Sequence, residues 1–194
     1  MIPVNLGKYR IILASASPRR QELLRHLEMP FEVEVRPVKE DFPQGMDAEE
    51  VALLLSKHKA DAFSTEELER DKLIITADTV VCIGDEMLGK PGSRDEAINM
   101  LQRLSGKKHR VVTGVTIRSA GRQVNFAVGT DVYFKDLRTE EIHYYVDNYK
   151  PYDKAGAYGI QEWIGYVGIE RIEGSFYNVM GLPVLRLYEE LRKF

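Results

Sequence analysis

An α/β fold is what the sequence predicts, and three patterns indicate it. In the first half, short β-branched runs alternate with segments of helical periodicity, which is typical of parallel strands joined by helices. In the middle, residues 109–118 and 123–134 flank the turn "SAGR" and predict a long antiparallel pair. At the end, residues 181–194 predict a terminal helix. No repeat, low-complexity segment or interdomain linker interrupts this order, so we predict one domain over residues 1–194.

Strands are predicted wherever β-branched or alternating residues form short runs. The stretch "FEVEV" alternates with a period of two, which is typical of a half-buried strand. The stretch "KLIITADTVVCIG" is too apolar for a surface strand and predicts a central position in the sheet. Besides the antiparallel pair, strands are predicted over residues 9–15, 31–35, 72–84 and 163–172.

Helices are predicted where a capping residue precedes a run of helical periodicity. Ser17 followed by Pro18 has the pattern of an N-cap with proline at the first helical position. Asp47 and Ser93 serve as caps in the same way. Besides the terminal helix, the helices are predicted over residues 18–28, 48–63 and 94–104 and in a capped segment that starts after Thr139.

Composition excludes several classes of function. The net charge is −3, so no global basic field draws the chain to nucleic acid. The single cysteine, Cys82, excludes an internal disulfide framework and a cysteine-based metal cluster. No apolar run approaches 18 residues, so we expect no membrane span. The first residues lack the apolar core of a signal peptide, and we therefore expect a cytoplasmic protein.

The segment "ASASPRRQELL" places two arginines, Arg19 and Arg20, in the first turn of a helix. A helix N-terminus carries partial positive charge, so cations there are disfavoured by about 0.3–1 kcal/mol each. They become favourable if an anion such as phosphate docks on the backbone N–H groups of that terminus. The alternative is that both arginines face solvent or pair with Glu22 and Glu34.

Asp78 lies in the otherwise apolar stretch "TADTVV", just before Thr79. A buried carboxylate is costly unless it is paired, hydrogen-bonded or metal-bound. This position therefore suits a ligand of a divalent cation or a general base acting on water. The alternative is an aspartate that caps a neighbouring loop.

Other polar residues are candidates that have ordinary alternatives. Lys90 in "LGKPGS" could bind phosphate or be a surface lysine, and Glu40 and Asp41 could simply be solvated. Lys57 and Lys59 lie two apart on one helix and face different ways, so one of them could reach a cleft. Gln161 in the glycine-rich stretch "YDKAGAYGIQ" could pair with a nucleobase, or that stretch could serve turn formation alone.

Several cations and at least two acids at the ends of elements favour an enzyme. A carboxylate-held metal combined with cationic side chains is how proteins manage phosphoryl chemistry. The sequence contains neither the GxxxxGK[ST] pattern of P-loop enzymes nor GxGxxG.

Six motifs in order resemble the Maf family of nucleoside triphosphate pyrophosphatases. They are "LASASPRRQELL", "ADTVV", "LGKP", "ML.RLSGK.H.V.TGV", "DKAGAYGIQ" and "GSFYNVMGLPV", which lie between residues 13 and 184, and the resemblance covers nearly the whole chain. The resemblance implies an elongated mixed-sheet domain with a cleft between two lobes, often as a homodimer. It also implies hydrolysis of a nucleoside triphosphate to the monophosphate and pyrophosphate with Mg²⁺ or Mn²⁺.

The resemblance also assigns roles to residues. Asp78 matches the family's general base and metal ligand, and Glu40 matches a second metal ligand. The positions that match its phosphate-binding residues are Ser15, Ser17, Arg20, Lys59 and Lys90.

Three further positions resemble the branch of the family that acts on dTTP and UTP. These are Arg19, Thr79 and Gln161, where the branch that acts on 7-methyl-GTP tends to carry tryptophan, glutamine and glutamate. The alternatives are that second specificity and a non-catalytic nucleotide-binding factor linked to septum formation. In either case the expected partner is a small-molecule nucleotide.

Overall fold

A computed structural model of the chain describes residues 4–68 and 71–194. These residues fall into two compact units. Unit 1 comprises residues up to Asp78 together with Thr113–Val128 and Gly181–Phe194, and unit 2 comprises Thr79–Val112 and Gly129–Met180.

Unit 1 contains the β-α-β arrangement that the first half of the sequence predicts. Strand β1 pairs in parallel with both β2 and β3, in the register Ile12↔Glu32 and Ile12↔Ile74. A small apolar cluster that includes Phe63 and Leu68 packs around Ile12 and Ile74. The elements of unit 1 include a 3-10 helix (Val4–Lys8), β1 (Arg10–Leu13), α1 (Pro18–Arg25), β2 (Glu32–Val33), α2 (Ala48–Asp61), α3 (Thr65–Leu68), the first part of β3 (Lys72–Ile83), and α8 (Val184–Leu191).

Unit 2 has an apolar core in which α4 and α5 bury Leu101, Leu104, Tyr145 and Val146. Strand β4 pairs antiparallel with β3, and β7 pairs antiparallel with β6. The elements that lie wholly in unit 2 are β4 (Glu86–Leu88), α4 (Arg94–Leu104), α5 (Thr139–Tyr149), a 3-10 turn (Ala155–Ala157), α6 (Trp163–Gly168), β7 (Ile169–Glu173) and α7 (Phe176–Met180). Strands β5 (Lys108–Arg118) and β6 (Gln123–Phe134) are divided between the units, because Thr113–Val128 belongs to unit 1.

The described strands form a seven-stranded sheet in the order β2-β1-β3-β5-β6-β7, with β4 on β3. Parallel and antiparallel pairs both occur, so the predicted mixed α/β fold is confirmed. The predicted caps are confirmed as well, because the side chains of Ser17, Asp47 and Ser93 each accept a backbone N–H bond at the start of a helix. Helix α2 is 14 residues long. Among the described residues, no helix is long and apolar enough to cross a membrane.

The prediction of a strand over residues 163–172 is wrong for its first half. Residues Trp163–Gly168 form α6, and the strand begins only at Ile169. At Gly165 the chain turns so tightly that an added Cβ would lie 1.8 Å from the carbonyl oxygen of Ile160. The apolar run indicated a strand, but this close packing against the preceding turn favours a helix at that point.

The predicted strand over residues 31–35 is shorter than expected. Strand β2 covers only Glu32 and Val33, opposite Ile12 and Leu13 at the end of β1. The Glu34 N–H still donates to the Leu13 carbonyl at 3.3 Å. The alternation of apolar and polar residues continues beyond this point, but β1 is only four residues long and ends at Leu13.

Candidate active site

The loop between β1 and α1 folds around two serine hydroxyls. The Oγ atom of Ser15 accepts a hydrogen bond from the Ser17 N–H at 3.3 Å and another from Arg20 Nη1 at 3.4 Å. The Oγ atom of Ser17 accepts the Arg20 N–H at 3.5 Å and so caps α1. Ser15 is buried and Ser17 half-buried, so the loop presents a compact arrangement of hydroxyls at a helix N-terminus.

Arg20 is held in place and does not project into solvent. Its Nε donates to the carbonyl oxygen of Gly181 at 2.8 Å. Burial lowers the pKa of the guanidinium, while the negative charges of Asp78 and Glu40 oppose that shift. A guanidinium stays charged in proteins, so this is a fixed, inward-facing cation. Arg19 beside it is half-buried.

The sequence left open a pairing of Arg19 and Arg20 with Glu34, but Glu34 has other partners in the structure. Glu34 accepts from Arg36 Nη2 at 2.5 Å and pairs with Lys72 at 3.3 Å. Arg36 also binds Glu67, so Glu34 belongs to a separate surface network on unit 1.

Lys59 lies between the two carboxylates that the sequence singled out. Its Nζ is 2.9 Å from Glu40 Oε1 and also contacts Asp78 Oδ1. The side chains of Lys59 and Asp78 are 16% and 13% exposed, whereas that of Glu40 is half-exposed. Lys57 points elsewhere and pairs with Asp61 at 2.5 Å, which confirms that the two lysines face different ways. We call Glu40, Lys59 and Asp78 the Lys59 cluster.

Glu40 and Asp78 are the residues of the Lys59 cluster that could hold a divalent cation. Within the described ranges no group of three or more His, Cys, Asp and Glu side chains forms a metal site by itself. Mg²⁺ is usually held by one or two carboxylates together with substrate phosphates and water. Glu40 and Asp78 supply two such carboxylates, and both already converge on one cationic atom.

Three candidate residues belong to unit 2. Thr79 is half-buried and directly follows Asp78 on β3, whereas Lys90 is exposed. The carbonyl oxygen of Gly89 accepts the Gly156 N–H at 3.1 Å. This bond ties the turn that carries Lys90 to the glycine-rich segment that carries Gln161.

Gln161 has an unusual environment. Its Oε1 is buried and has no hydrogen-bond partner among the described residues. A buried acceptor without a partner typically costs about 1–3 kcal/mol. Such an atom is expected where a ligand supplies the missing donor.

Residues 10–194 match the model of the Maf-like protein family. The chain belongs to the Maf family. It is similar to a dTTP/UTP pyrophosphatase of Porphyromonas gingivalis W83, with 54% identity over 98% of this chain and 96% of the relative. It is also similar to proteins of that name from Parabacteroides distasonis (52% identity, 98% of both chains) and Bacteroides thetaiotaomicron (50% identity, 97% of this chain and 98% of the relative).

Beside Gln161, this Maf protein has a buried polar group that the sequence did not predict. Lys154 is buried, and its Nζ lies 3.0 Å from Glu162 Oε1 and 2.8 Å from Asp153 Oδ1. The Tyr145 hydroxyl contacts Glu162 Oε2. The available signal was a lysine among glycines and small residues, but lysine is ordinarily exposed, and nothing in the sequence pattern marked it as buried.

Two further polar residues of unit 2 are buried. His109 is buried with its Nε2 2.6 Å from the Tyr158 hydroxyl, and burial lowers its pKa to about 4. Cys82 is buried on β3, where its Sγ donates to the carbonyl oxygen of Arg110.

The aromatic residues of unit 2 differ widely in burial. Tyr145 is fully buried, but Tyr166 is 81% exposed. Tyr144, Phe176 and Tyr177 are exposed as well.

Proposed function

We propose that this chain hydrolyses dTTP and UTP to the nucleoside monophosphate and pyrophosphate, and so removes these nucleotides from the cytoplasmic pool. Relatives at about 50% identity that carry the name dTTP/UTP pyrophosphatase support this proposal. The observation that carries it is the Lys59 cluster, in which Lys59 joins Glu40 and Asp78. Arg20 interacts electrostatically with both carboxylates.

The proposed reaction is attack of water on the α-phosphorus. Asp78 accepts a proton from the water as its oxygen bonds to phosphorus. The bond from that phosphorus to the bridging oxygen breaks, and the electron pair leaves with pyrophosphate. Arg20, Lys59 and Lys90 neutralise the charge on the departing group, and the hydroxyls of Ser15 and Ser17 bind phosphate oxygens.

A divalent cation such as Mg²⁺ or Mn²⁺, held by Glu40 and Asp78, would supply Lewis-acid stabilisation of the phosphate oxygens when bound. The remaining charge compensation comes from the chain itself. The cationic groups are already fixed before substrate arrives, because Arg20 is bound to the Gly181 carbonyl and Lys59 to two carboxylates. Fixed charges of this kind stabilise a transition state without having to reorganise.

Gln161 is proposed to recognise the edge that thymine and uracil share. Its buried Oε1 would accept from the N3–H of the base, and its amide NH₂ would donate to O4. The two bases differ by one methyl group, which is worth only about 1–3 kcal/mol. We therefore expect the site to accept both dTTP and UTP. Arg19 and Thr79 are the other proposed specificity residues.

A substrate panel tests this function. We expect pyrophosphate release from dTTP and UTP, and much less from CTP and 7-methyl-GTP, with Mg²⁺ or Mn²⁺ present. In Asp78→Asn, kcat should fall by about 10²–10⁴-fold, because the proton acceptor is lost. Turnover of 7-methyl-GTP alone would instead establish the other specificity of the family. No turnover of any nucleotide would favour the non-catalytic binding factor.

A single isosteric change tests the role of Gln161. Gln161→Glu replaces the amide donor by a second acceptor, which repels O4 of thymine and uracil. We expect kcat/KM for dTTP to fall about tenfold or more, since the site loses a hydrogen bond made to its substrate. Unchanged kcat/KM for dTTP would remove Gln161 from base recognition.

A further inference from the structure

We propose that Tyr145, Lys154 and Glu162 form a polar clamp that positions Gln161 and thereby makes the site discriminate thymine and uracil from cytosine. This inference rests on the proposed function and extends it to residues that do not touch the substrate. The three side chains are positioning residues, and they act through the turn over residues 159–162.

The polar clamp engages both oxygens of one carboxylate. Lys154 Nζ lies 3.0 Å from Glu162 Oε1, and the Tyr145 hydroxyl donates to Glu162 Oε2. Burial is the main cause that raises the pKa of the Tyr145 phenol, and its bond to Glu162 adds to the effect, so the phenol remains a donor. The side chains of Lys154 and Glu162 are 8% and 20% exposed. With both its oxygens bound, Glu162 has a single fixed position.

The clamp also fixes the other end of the turn. The Gly159 N–H donates to the Tyr145 hydroxyl oxygen at 3.0 Å, and the Glu162 N–H donates to the Gly159 carbonyl at 3.0 Å. An added Cβ at Gly159 would lie 2.9 Å from Glu162 Cδ and 3.0 Å from Lys154 Cε. Glycine is therefore the residue that lets the backbone lie against the clamp, and Gln161 lies between the two fixed ends.

Fixing the turn matters because a glutamine amide can serve two opposite bases. Thymine and uracil present an N3–H donor and an O4 acceptor, whereas cytosine presents an N3 acceptor and an N4 donor. A glutamine that is free to rotate its amide by half a turn could pair with either pattern. In this chain Gln161 Oε1 is buried and has no partner among the described residues, so no hydrogen bond to that oxygen prevents the rotation, and the fixed turn has to prevent it.

Stability alone is a weak explanation for the clamp. Replacing a buried ion pair by well-packed apolar residues is often neutral or stabilising, so such a pair is poor evidence for a stabilising role. A binding side chain, in contrast, needs its supporting groups locked by packing and hydrogen bonds. Lys154 is buried close in sequence to Gln161, whose Oε1 has no partner among the described residues. This arrangement favours a positioning role for the clamp.

The test compares Tyr145→Phe and Glu162→Gln with wild type at 25 °C. Tyr145→Phe keeps the ring and removes the hydroxyl that joins Gly159 to Glu162. We expect the ratio of kcat/KM for CTP to that for dTTP to rise about tenfold, which corresponds to the loss of one base-specific hydrogen-bond pattern. The affinity for tripolyphosphate should stay within about threefold of wild type, because this ligand has no base.

Tyr158→Phe is the matched control. Tyr158 lies in the same glycine-rich segment and is buried, but its hydroxyl contacts His109 and not the clamp. This variant should keep the wild-type CTP-to-dTTP ratio even if its melting temperature falls. Affinity for dTMP measured by calorimetry gives a readout that does not depend on turnover, and it should fall in Tyr145→Phe and Glu162→Gln but not in Tyr158→Phe.

The results separate failure of the clamp from failure of the function. An unchanged ratio in both clamp variants, or a parallel loss of dTMP and tripolyphosphate affinity, would show a structural role alone and overturn the inference. If Gln161→Ala leaves the CTP-to-dTTP ratio of kcat/KM unchanged, Gln161 does not recognise the base. The positioning role proposed for the clamp is then wrong as well. Absence of dTTP turnover by wild type would overturn the proposed function itself.

Discussion

Each of the two units contains a lysine that lies between two carboxylates. In unit 1, Lys59 contacts Glu40 and Asp78. In unit 2, Lys154 contacts Asp153 and Glu162. The charge arrangement is the same, yet one set is proposed to carry out chemistry and the other to hold a loop.

The difference lies in what surrounds the acids. Asp78 faces cations, since Lys59 contacts it and Arg20 interacts with it electrostatically. Glu162 has each oxygen engaged, one by a lysine and one by a phenol. The members of the Lys59 cluster also come from a loop, a helix and a strand that are far apart in sequence, whereas Lys154 and Glu162 lie in one short segment. A carboxylate surrounded by cations suits metal and phosphate chemistry, and one that is fully engaged suits positioning.

The largest expected effect comes from removing the lysine of unit 1. Lys59→Met should lower kcat/KM for dTTP by about 10²–10³-fold, because a fixed charge that stabilises the transition state is lost. The free energy of unfolding should change by only about 1 kcal/mol, because Glu40 is half-exposed and Arg20 still balances Asp78. Steady-state kinetics and urea denaturation of one preparation measure both. A large stability loss with retained turnover would contradict the contrast between the two lysines.

The same change in unit 2 should have the opposite profile. Lys154→Met leaves Glu162 mostly buried without its cation, which should reduce the free energy of unfolding by about 2–3 kcal/mol. The kcat for dTTP should change less than tenfold, since Lys154 is not placed among the reacting groups. Urea denaturation gives the first quantity and initial rates the second. Stability equal to wild type would show that the ion pair contributes nothing to the fold.

Replacing Arg20 tests whether a second cation of unit 1, besides Lys59, contributes to nucleotide binding or turnover. Arg20→Ala should weaken nucleotide binding or turnover more than tenfold, because the guanidinium proposed to bind phosphate is lost. Arg25→Ala is the matched control, since Arg25 is exposed in the last turn of the same helix and bonds only weakly to Gln21 at 3.5 Å. Full activity of Arg20→Ala would show that Arg20 does not serve to bind phosphate at this helix N-terminus.

The smallest expected effect is a pH dependence confined to the core of unit 2. Burial lowers the pKa of His109 to about 4, below its ordinary value of 6.5. The unfolded chain therefore binds a proton at a pH where the folded chain does not, and stability falls as the pH falls below 6.5. The expected loss is about 1 kcal/mol between pH 6.5 and pH 5.5.

Urea denaturation at the two pH values measures this loss. In His109→Gln the difference between the two pH values should shrink, because glutamine does not titrate and can still bond to the Tyr158 hydroxyl. An undiminished difference in that variant would assign the pH dependence to other groups.

Local signals were enough to predict much of the fold. The caps Ser17, Asp47 and Ser93 satisfy backbone N–H groups within three residues of themselves, so their effect does not depend on the rest of the chain. The strand predicted over 163–172 is wrong for residues 163–168, because a short apolar run is compatible with a buried strand and with a buried helix. Prediction succeeds where a side chain supplies a specific hydrogen bond and fails where an apolar pattern fits two structures.

The sequence by itself determined the mixed α/β fold, the family, and which acids and cations are candidates for chemistry. Only the tertiary structure decided that Lys59 joins Glu40 to Asp78, since each carboxylate is 19 residues away in the chain. It alone decided that Lys154 is buried against Glu162 and Tyr145. The physical reason is that burial and ion pairing depend on which distant segments meet, and a charged side chain has the same sequence signal whether it faces solvent or a partner.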